Sequence, residues 1–275
     1  MLLATTSLAA RIESTERRLS GSIAASVERA GADAFARPIA GGLAVFAGTG
    51  SPFNKVIGLG FAGPPDDAEL AAIEAAFAER GAAVQVELAS LADPAIAARL
   101  TRRGYALVGF EDVLGQALGP SHARAPTGDV TVAAADDDAA WIRLLGEGFA
   151  HPDLGPEGGQ THESFAQSSL EQVFGHFLAA PGLRRYVARC GGAPAGGASL
   201  RIDDDVGQLC GAATLPAFRR RGVQTALLEA RLADAARAGC ELATMTTAPG
   251  SKSQHNARRQ GFELLYTRAI LVRTP

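Results

Sequence analysis

Leu8, Ile12, Leu19 and Ile23 fall on one face of a 3.6-residue repeat among charged neighbours, which predicts a helix over residues 7–34. Residues 43–47 and 56–61 are short apolar runs. They read as strands joined by the turn Gly48-Thr49-Gly50-Ser51-Pro52. A helix follows over 66–80: Pro64 and Pro65 precede Asp66 and Asp67, and Gly81 stops it. Residues 84–88 alternate as a strand. Residues 93–103 form a helix with Pro94 near its first turn, closed by Gly104, and 105–118 returns to strand.

Residues 119–129, from Gly119-Pro120 to Gly128-Asp129, are rich in Pro, Gly and polar side chains and read as a linker. The pattern then restarts. A strand is expected over 130–134 and a helix over 136–149 with acidic residues at its start, then a Gly-rich polar loop over 150–163 and a helix over 164–178. Three strands follow at 185–189, 197–202 and 206–214, with Asp203-Asp204-Asp205 as a hairpin turn. Helix 223–238 ends at Gly239. Strand 242–247, helix 251–260 and strand 262–272 complete the chain. The two halves end alike: Gly81 and Gly104 stand 23 positions apart, Gly239 and Gly261 22, and Arg103-Gly104-Tyr105 parallels Gln260-Gly261-Phe262. An internal duplication explains this; chance recurrence in a helix–strand chain is the alternative.

Composition narrows the class. The chain has 275 residues, 47% of them hydrophobic and 20% charged, enough to bury a sizeable core and too apolar for a disordered chain. The net charge of -3 offers no global basic field for nucleic acid or an anionic membrane. Lys55 and Lys252 are the sole lysines. Cys190, Cys210 and Cys240 are odd in number and widely spaced, which argues against a disulfide framework or a structural zinc site and for a reducing cytoplasm. The longest apolar run, around residues 39–48, is too short for a membrane helix, and the N-terminus lacks the pattern of a signal peptide.

The clearest chemical signal runs from Thr214 to Leu228. A strand ends, a basic loop with one glycine follows, and a helix begins. The first N–H groups of a helix lack internal acceptors and lie at its positive end, so they can hold a phosphate. Gly222 lets backbone approach closely, and Arg219, Arg220 and Arg221 add planar donors. A solvated basic turn is the plainer reading. The segment lacks the ending of a P-loop.

This segment resembles the acyl-CoA signature of the GNAT superfamily of N-acetyltransferases, [Q/R]-x-x-G-x-[G/A]. Arg219 fills its first position and Gly222 its glycine, while Gln224 departs from the usual Gly or Ala. Thr225-Ala226-Leu227-Leu228, then Ser253 to Asn256 and Gly261-Phe262 before a last strand, extend the likeness over residues 129–273. The resemblance implies an α+β (α/β) fold of two GNAT-like domains, each a mixed, mostly antiparallel sheet flanked by helices. They would span residues 1–120 and 129–275. It implies acetyl-CoA as co-substrate, no metal, and a small-molecule or peptide amine as acceptor. Pyrophosphate would lie on the amides of Arg221, Gly222, Val223, Gln224, Thr225 and Ala226. Pantetheine would pair with the strand end at Ala213, Thr214 and Leu215, where a backbone N–H would polarise the thioester.

The family often places a Tyr acid four residues before the Gly-Phe pair, and Ala257 stands there. Ser253, or a water held by Ser253 and Asn256, is the expected substitute, with Tyr266 behind it; Asn256 as a helix cap is the plainer alternative. Candidate bases are His151, Asp153, Glu157, His162 and Glu163. Cys210 reads as a core residue rather than a nucleophile. In the first half, the place of the basic loop holds Ala62-Gly63-Pro64-Pro65-Asp66-Asp67, whose prolines and carboxylates suit no phosphate. That half is expected to be a degenerate copy. A non-catalytic acyl-CoA-binding or regulatory protein is the competing function, and an interaction scaffold a third.

Overall fold

The computed structural model describes residues 2–123, 129–151 and 167–275, with only the backbone of 167–170. Its contacts divide the chain into two compact units. One holds 114–263, and the other joins 3–113 to 264–275. The last strand therefore groups with the N-terminal segment, although it follows the C-terminal elements in sequence.

The N-terminal unit contains α1 (Thr6–Arg29), β1 (Phe35–Ile39), β2 (Gly42–Phe46), β3 (Lys55–Ile57), α2 (Asp67–Ala78), β4 (Val84–Ala89), α3 (Ala95–Arg102), the first part of β5 (Ala106–Ala117) and β11 (Glu263–Arg273). Its strands run in the order β1-β2-β3-β4-β11-β5, with β3 and β4 parallel and β1-β2, β2-β3 and β4-β11 antiparallel. Helix α1 stops at Arg29, five residues short of expectation, and Gly31 takes φ +79. Strand β1 was not predicted. Its Arg37-Pro38 is exposed, as suits an edge strand, and Ala40 and Gly41, both left-handed, turn it into β2.

One face of this sheet presents Phe46, Val56, Val86 and Leu88 to Leu70, Ile73 and Phe77 of α2 and Ile96 and Leu100 of α3. The alternate positions carry charge toward α1. Arg268 Nε donates to Glu13 at 2.8 Å and its Nη1 to Glu111 at 2.9 Å, with Glu87 3.5 Å away. Lys55 Nζ donates to Glu87 at 2.8 Å. Burial works against the Lys55 ammonium, but Glu87, Glu16 and Glu111 together outweigh it and raise its pKa.

The C-terminal unit contains the end of β5, β6 (Val130–Ala134), α4 (Asp138–Ala150), α5 (Gln167–Phe177), β7 (Leu183–Cys190), β8 (Ala193–Asp203), β9 (Val206–Thr214), α6 (Val223–Arg237), β10 (Leu242–Thr247) and α7 (Lys252–Arg259). Its strand order is β10-β9-β8-β7-β6, antiparallel except for β9-β10. Leu227, Leu228 and Leu232 of α6 and Ala257 of α7 pack with Leu200, Leu209, Ala243 and Met245 on one face. Trp141, Leu144 and Leu145 of α4 cover Gly197 on the other. Both units are mixed, mostly antiparallel sheets flanked by helices. The expected linker falls partly on residues 124–128, outside the described ones.

Candidate active site

Strands β9 and β10 pair in parallel only from Val206–Leu242 to Gln208–Thr244. Beyond that, β9 runs on to Thr214 and β10 to Thr247, unpaired with each other. The parting starts at a bulge. Ser199 faces Cys210 but Ala198 faces Ala212, so Gly211 is an extra residue in β9, at φ +51. Two side chains hold it. The Ser199 hydroxyl donates to the Cys210 carbonyl, and Arg231 Nη1 donates to the Ser199 carbonyl at 3.2 Å while its Nε donates to Leu227 at 3.0 Å. Burial pushes the Arg231 pKa down to about 10, so this guanidinium stays charged near neutrality.

The Leu215 N–H donates to the Ala195 carbonyl at 3.0 Å. It is therefore committed to β8 and not open to a ligand, contrary to the expectation for Leu215. Successive N–H groups alternate between strand edges, so that of Thr214 points into the opening.

A short 3-10 turn, Pro216–Phe218, leads to α6. Gly222 caps α6 in the left-handed conformation at φ +78. Gly222 has no side chain to cap the helix, and no acidic residue stands in its first turn. Among the described residues, a Cβ at Gly222 would meet nothing within 4 Å. Val223 and Ala226 bury their side chains, so they offer only backbone; Gln224 is half-buried and Thr225 exposed. Arg219 bonds the His151 carbonyl, Arg221 lies 5.5 Å from the Phe218 ring centre, and Arg220 is exposed in the left-handed conformation. Basic loop, uncapped helix and parted strands thus belong to one unit and meet at one strand end.

The N-terminal unit offers the opposite at its corresponding helix. Asp66 caps α2 by accepting from Glu69 N at 2.8 Å, and Glu69 accepts from Asp66 N at 2.8 Å. That capping box satisfies the helix end internally and lines it with carboxylates.

On α7, Ser251 is the cap and accepts from Gln254 N at 3.2 Å, so Asn256 does not cap this helix. Ser253 is exposed on the first turn and Asn256 half-buried one turn later. Ala257 is 1% exposed inside the core, where a tyrosine would not fit without repacking. Tyr266 belongs to the N-terminal unit. Its buried hydroxyl donates to Glu13 at 2.8 Å, and burial raises its pKa. Cys210 is half-buried, with its sulfur 3.5 Å from the Gln208 carbonyl. The Asp203–Asp205 segment is the β8–β9 hairpin turn. Among the candidate bases, His151 ends α4, its ring 3.0 Å from the Glu147 carbonyl. Asp153, Glu157, His162 and Glu163 lie outside the described residues. Among the described residues, no group of three or more His, Cys, Asp and Glu is placed to hold a metal, and no helix is long and apolar enough to cross a membrane.

Sequence reasoning missed the Ser199–Arg231 clamp and the bulge, although a glycine inside an apolar strand was a usable sign of the latter.

Residues 152–262 match the acetyltransferase (GNAT) family. The C-terminal unit is a GNAT-family domain. Among solved structures, a GCN5-related N-acetyltransferase from Kribbella flavida is similar over 94% of this chain and 95% of its own, at 20% identity and TM-score 0.63. A tandem GNAT protein from the clavulanic acid biosynthesis pathway is similar over 75% and 69%, at 13% identity and TM-score 0.57. A GCN5-related N-acetyltransferase from Sphaerobacter thermophilus is similar over 75% and 67%, at 15% identity and TM-score 0.54. No curated protein matches the sequence. The family match over 152–262 supports acyl transfer by the C-terminal unit, and the likeness to these structures shows the fold.

Proposed function

We propose that the GNAT domain binds acetyl-CoA and transfers its acetyl group directly to an amine of a small molecule or peptide. The observation that carries this reading is the start of α6 at Gly222, with no capping side chain and no described residue over the glycine, at the mouth of the parted β9 and β10. The pyrophosphate would rest on the free amides of residues 222–225, in the positive end of the helix dipole. Arg220 and Arg221 would add charge, and Arg219, already tied to His151, would hold the loop in shape.

The amide-bearing arm of the donor would then enter between the strands, whose facing edges have lost their ladder partners. The Thr214 N–H would bond the thioester oxygen as the amine lone pair attacks the carbonyl carbon. The tetrahedral oxyanion collapses, the C–S bond breaks to release the thiolate, and the proton leaving the nitrogen passes through water to the sulfur. Positioning and oxyanion stabilisation supply most of the rate in this scheme. Ser253 and Asn256 are the side chains on α7 suited to order a water for the departing thiolate. In the N-terminal unit the capped, acidic start of α2 supports a degenerate copy, residues 1–120 by sequence, that binds no CoA beside a working domain at 129–275. A cytoplasmic setting fits this use of acetyl-CoA.

Ala257 favours a second reading, a non-catalytic acyl-CoA-binding or regulatory protein, because the family's usual acid is missing. Thiol release from acetyl-CoA across a panel of aminoglycosides, amino acids, polyamines and peptide N-termini separates the two. Release above background that depends on one acceptor class is expected. Tight binding with no acceptor-dependent release would establish the second reading.

A further inference from the structure

Thr247 ends β10 with a side chain only 5% exposed, and its Oγ1 is buried with no hydrogen-bond partner among the described residues. Thr214 ends β9, and its Oγ1 is likewise buried and unpartnered. A buried hydroxyl in a protein core normally finds a partner, and one that does not destabilises the fold. Two such orphans at the free ends of the same two strands call for a common explanation.

Strand alternation shows which way they point. Ala243 and Met245 pack against α6, so Thr247, two residues on, stands on that same side of the sheet. On β9 the Gly211 bulge resets the alternation. Ala212 packs toward α6, so Thr214 does too. Both hydroxyls therefore flank the opening on the side where the α6 N-terminus is uncapped. A threonine hydroxyl can accept as well as donate, but the basic loop and the helix amides are donors, so they leave its O–H without an acceptor.

We propose that Thr247 and Thr214 are a hydroxyl pair that grips the arm of the acyl donor, each donating to a carbonyl oxygen of its amide–thioester chain. This rests on the acyl-donor reading of the GNAT domain and adds two residues to it. Thr247 enters as a side chain on a strand that the sequence reading left without a role. Thr214 gains a side-chain role beside its backbone. The hydroxyls would remain orphans in the free protein and gain acceptors on binding, so they trade free-state stability for selectivity toward a donor that carries the arm.

Thr247→Val and Thr214→Val keep the side-chain shape and remove the donor. Titration calorimetry is run on each with acetyl-CoA and with 3′-phosphoadenosine 5′-diphosphate, which has the phosphates but no arm. Melting temperatures are measured alongside. Each variant is expected to melt at or above the wild-type temperature, to bind acetyl-CoA about tenfold more weakly (about 1.4 kcal/mol) and to bind the armless nucleotide unchanged. A lower melting temperature in Thr247→Val would mean that its hydroxyl serves the fold, and would overturn the proposal. Unchanged acetyl-CoA affinity in both variants would overturn it too, while leaving the acyl-donor reading intact. Wild-type protein that binds neither compound would overturn both.

Discussion

Gly222 is the residue on which the proposed phosphate site turns. Its φ of +78 is a conformation that glycine adopts freely and asparagine or aspartate tolerates, and no described residue stands over it. Gly222→Asn and Gly222→Asp therefore distort the backbone alike and differ only in charge. Both should fold, each losing about 1 kcal/mol or less in a melting experiment. The aspartate puts a carboxylate where the pyrophosphate should sit, at the positive end of α6. Acetyl-CoA affinity in calorimetry should fall at least tenfold further in Gly222→Asp than in Gly222→Asn. Equal affinities would show that no anion lies there. The sequence made this residue legible because a lone glycine among arginines before an amphipathic helix is a local signal. Thr247 was not legible: a threonine on a strand is ordinary, and only the missing partner, a fact of packing, marks it. Leu215 misled for the same reason, since its N–H is used by Ala195 across the sheet.

Among the elements, helices with clear caps were easiest to place. Asp66 and the stop at Gly81 set α2, and Gly239 follows the end of α6. Strand β1 was hidden because its Arg37 and Pro38 are exposed, which leaves no alternating apolar pattern to read. The cluster that joins α1, β3, β4, β5 and β11 was hidden because its members come from distant segments. Glu111, 25% exposed, shows what the cluster does. Burial and the neighbouring Glu87 and Glu16 outweigh Arg268 and Lys55 and push its pKa up to about 7 from an ordinary 4.5. Glu13 and Tyr266 bond to each other beside the same Arg268. The folded unit thus keeps the Glu111 proton to a higher pH than the unfolded chain. That contribution to stability is present below about pH 4.5 and is lost as pH rises through about 7. Glu111→Gln cannot ionise. Its melting temperature should overtake that of the wild type by a few degrees between pH 6 and 8, for a difference of about 1 kcal/mol after solvent screening. Parallel melting curves across that range would contradict this origin of the shift.

At the scale of the whole molecule, the repeated strand–helix–glycine pattern was legible as two similar halves, and both compact units are sheets flanked by helices. The grouping of residues 264–275 with 3–113 was not legible, because local periodicity identifies a strand without naming its partner. The two units differ at the helix that follows the parallel strand. Helix α6 starts at a bare glycine after three arginines, while α2 starts in its own capping box with Asp67 and Glu69 in the first turn. An anion is attracted to the first and repelled by the second. The account's central claim is therefore one acyl-donor site per chain, at Gly222. Calorimetric titration of the full chain with acetyl-CoA tests it most directly. A stoichiometry near one per chain is predicted. Two per chain would mean that the capped helix of the N-terminal unit binds CoA after all, and no binding at high micromolar ligand would contradict the claim outright.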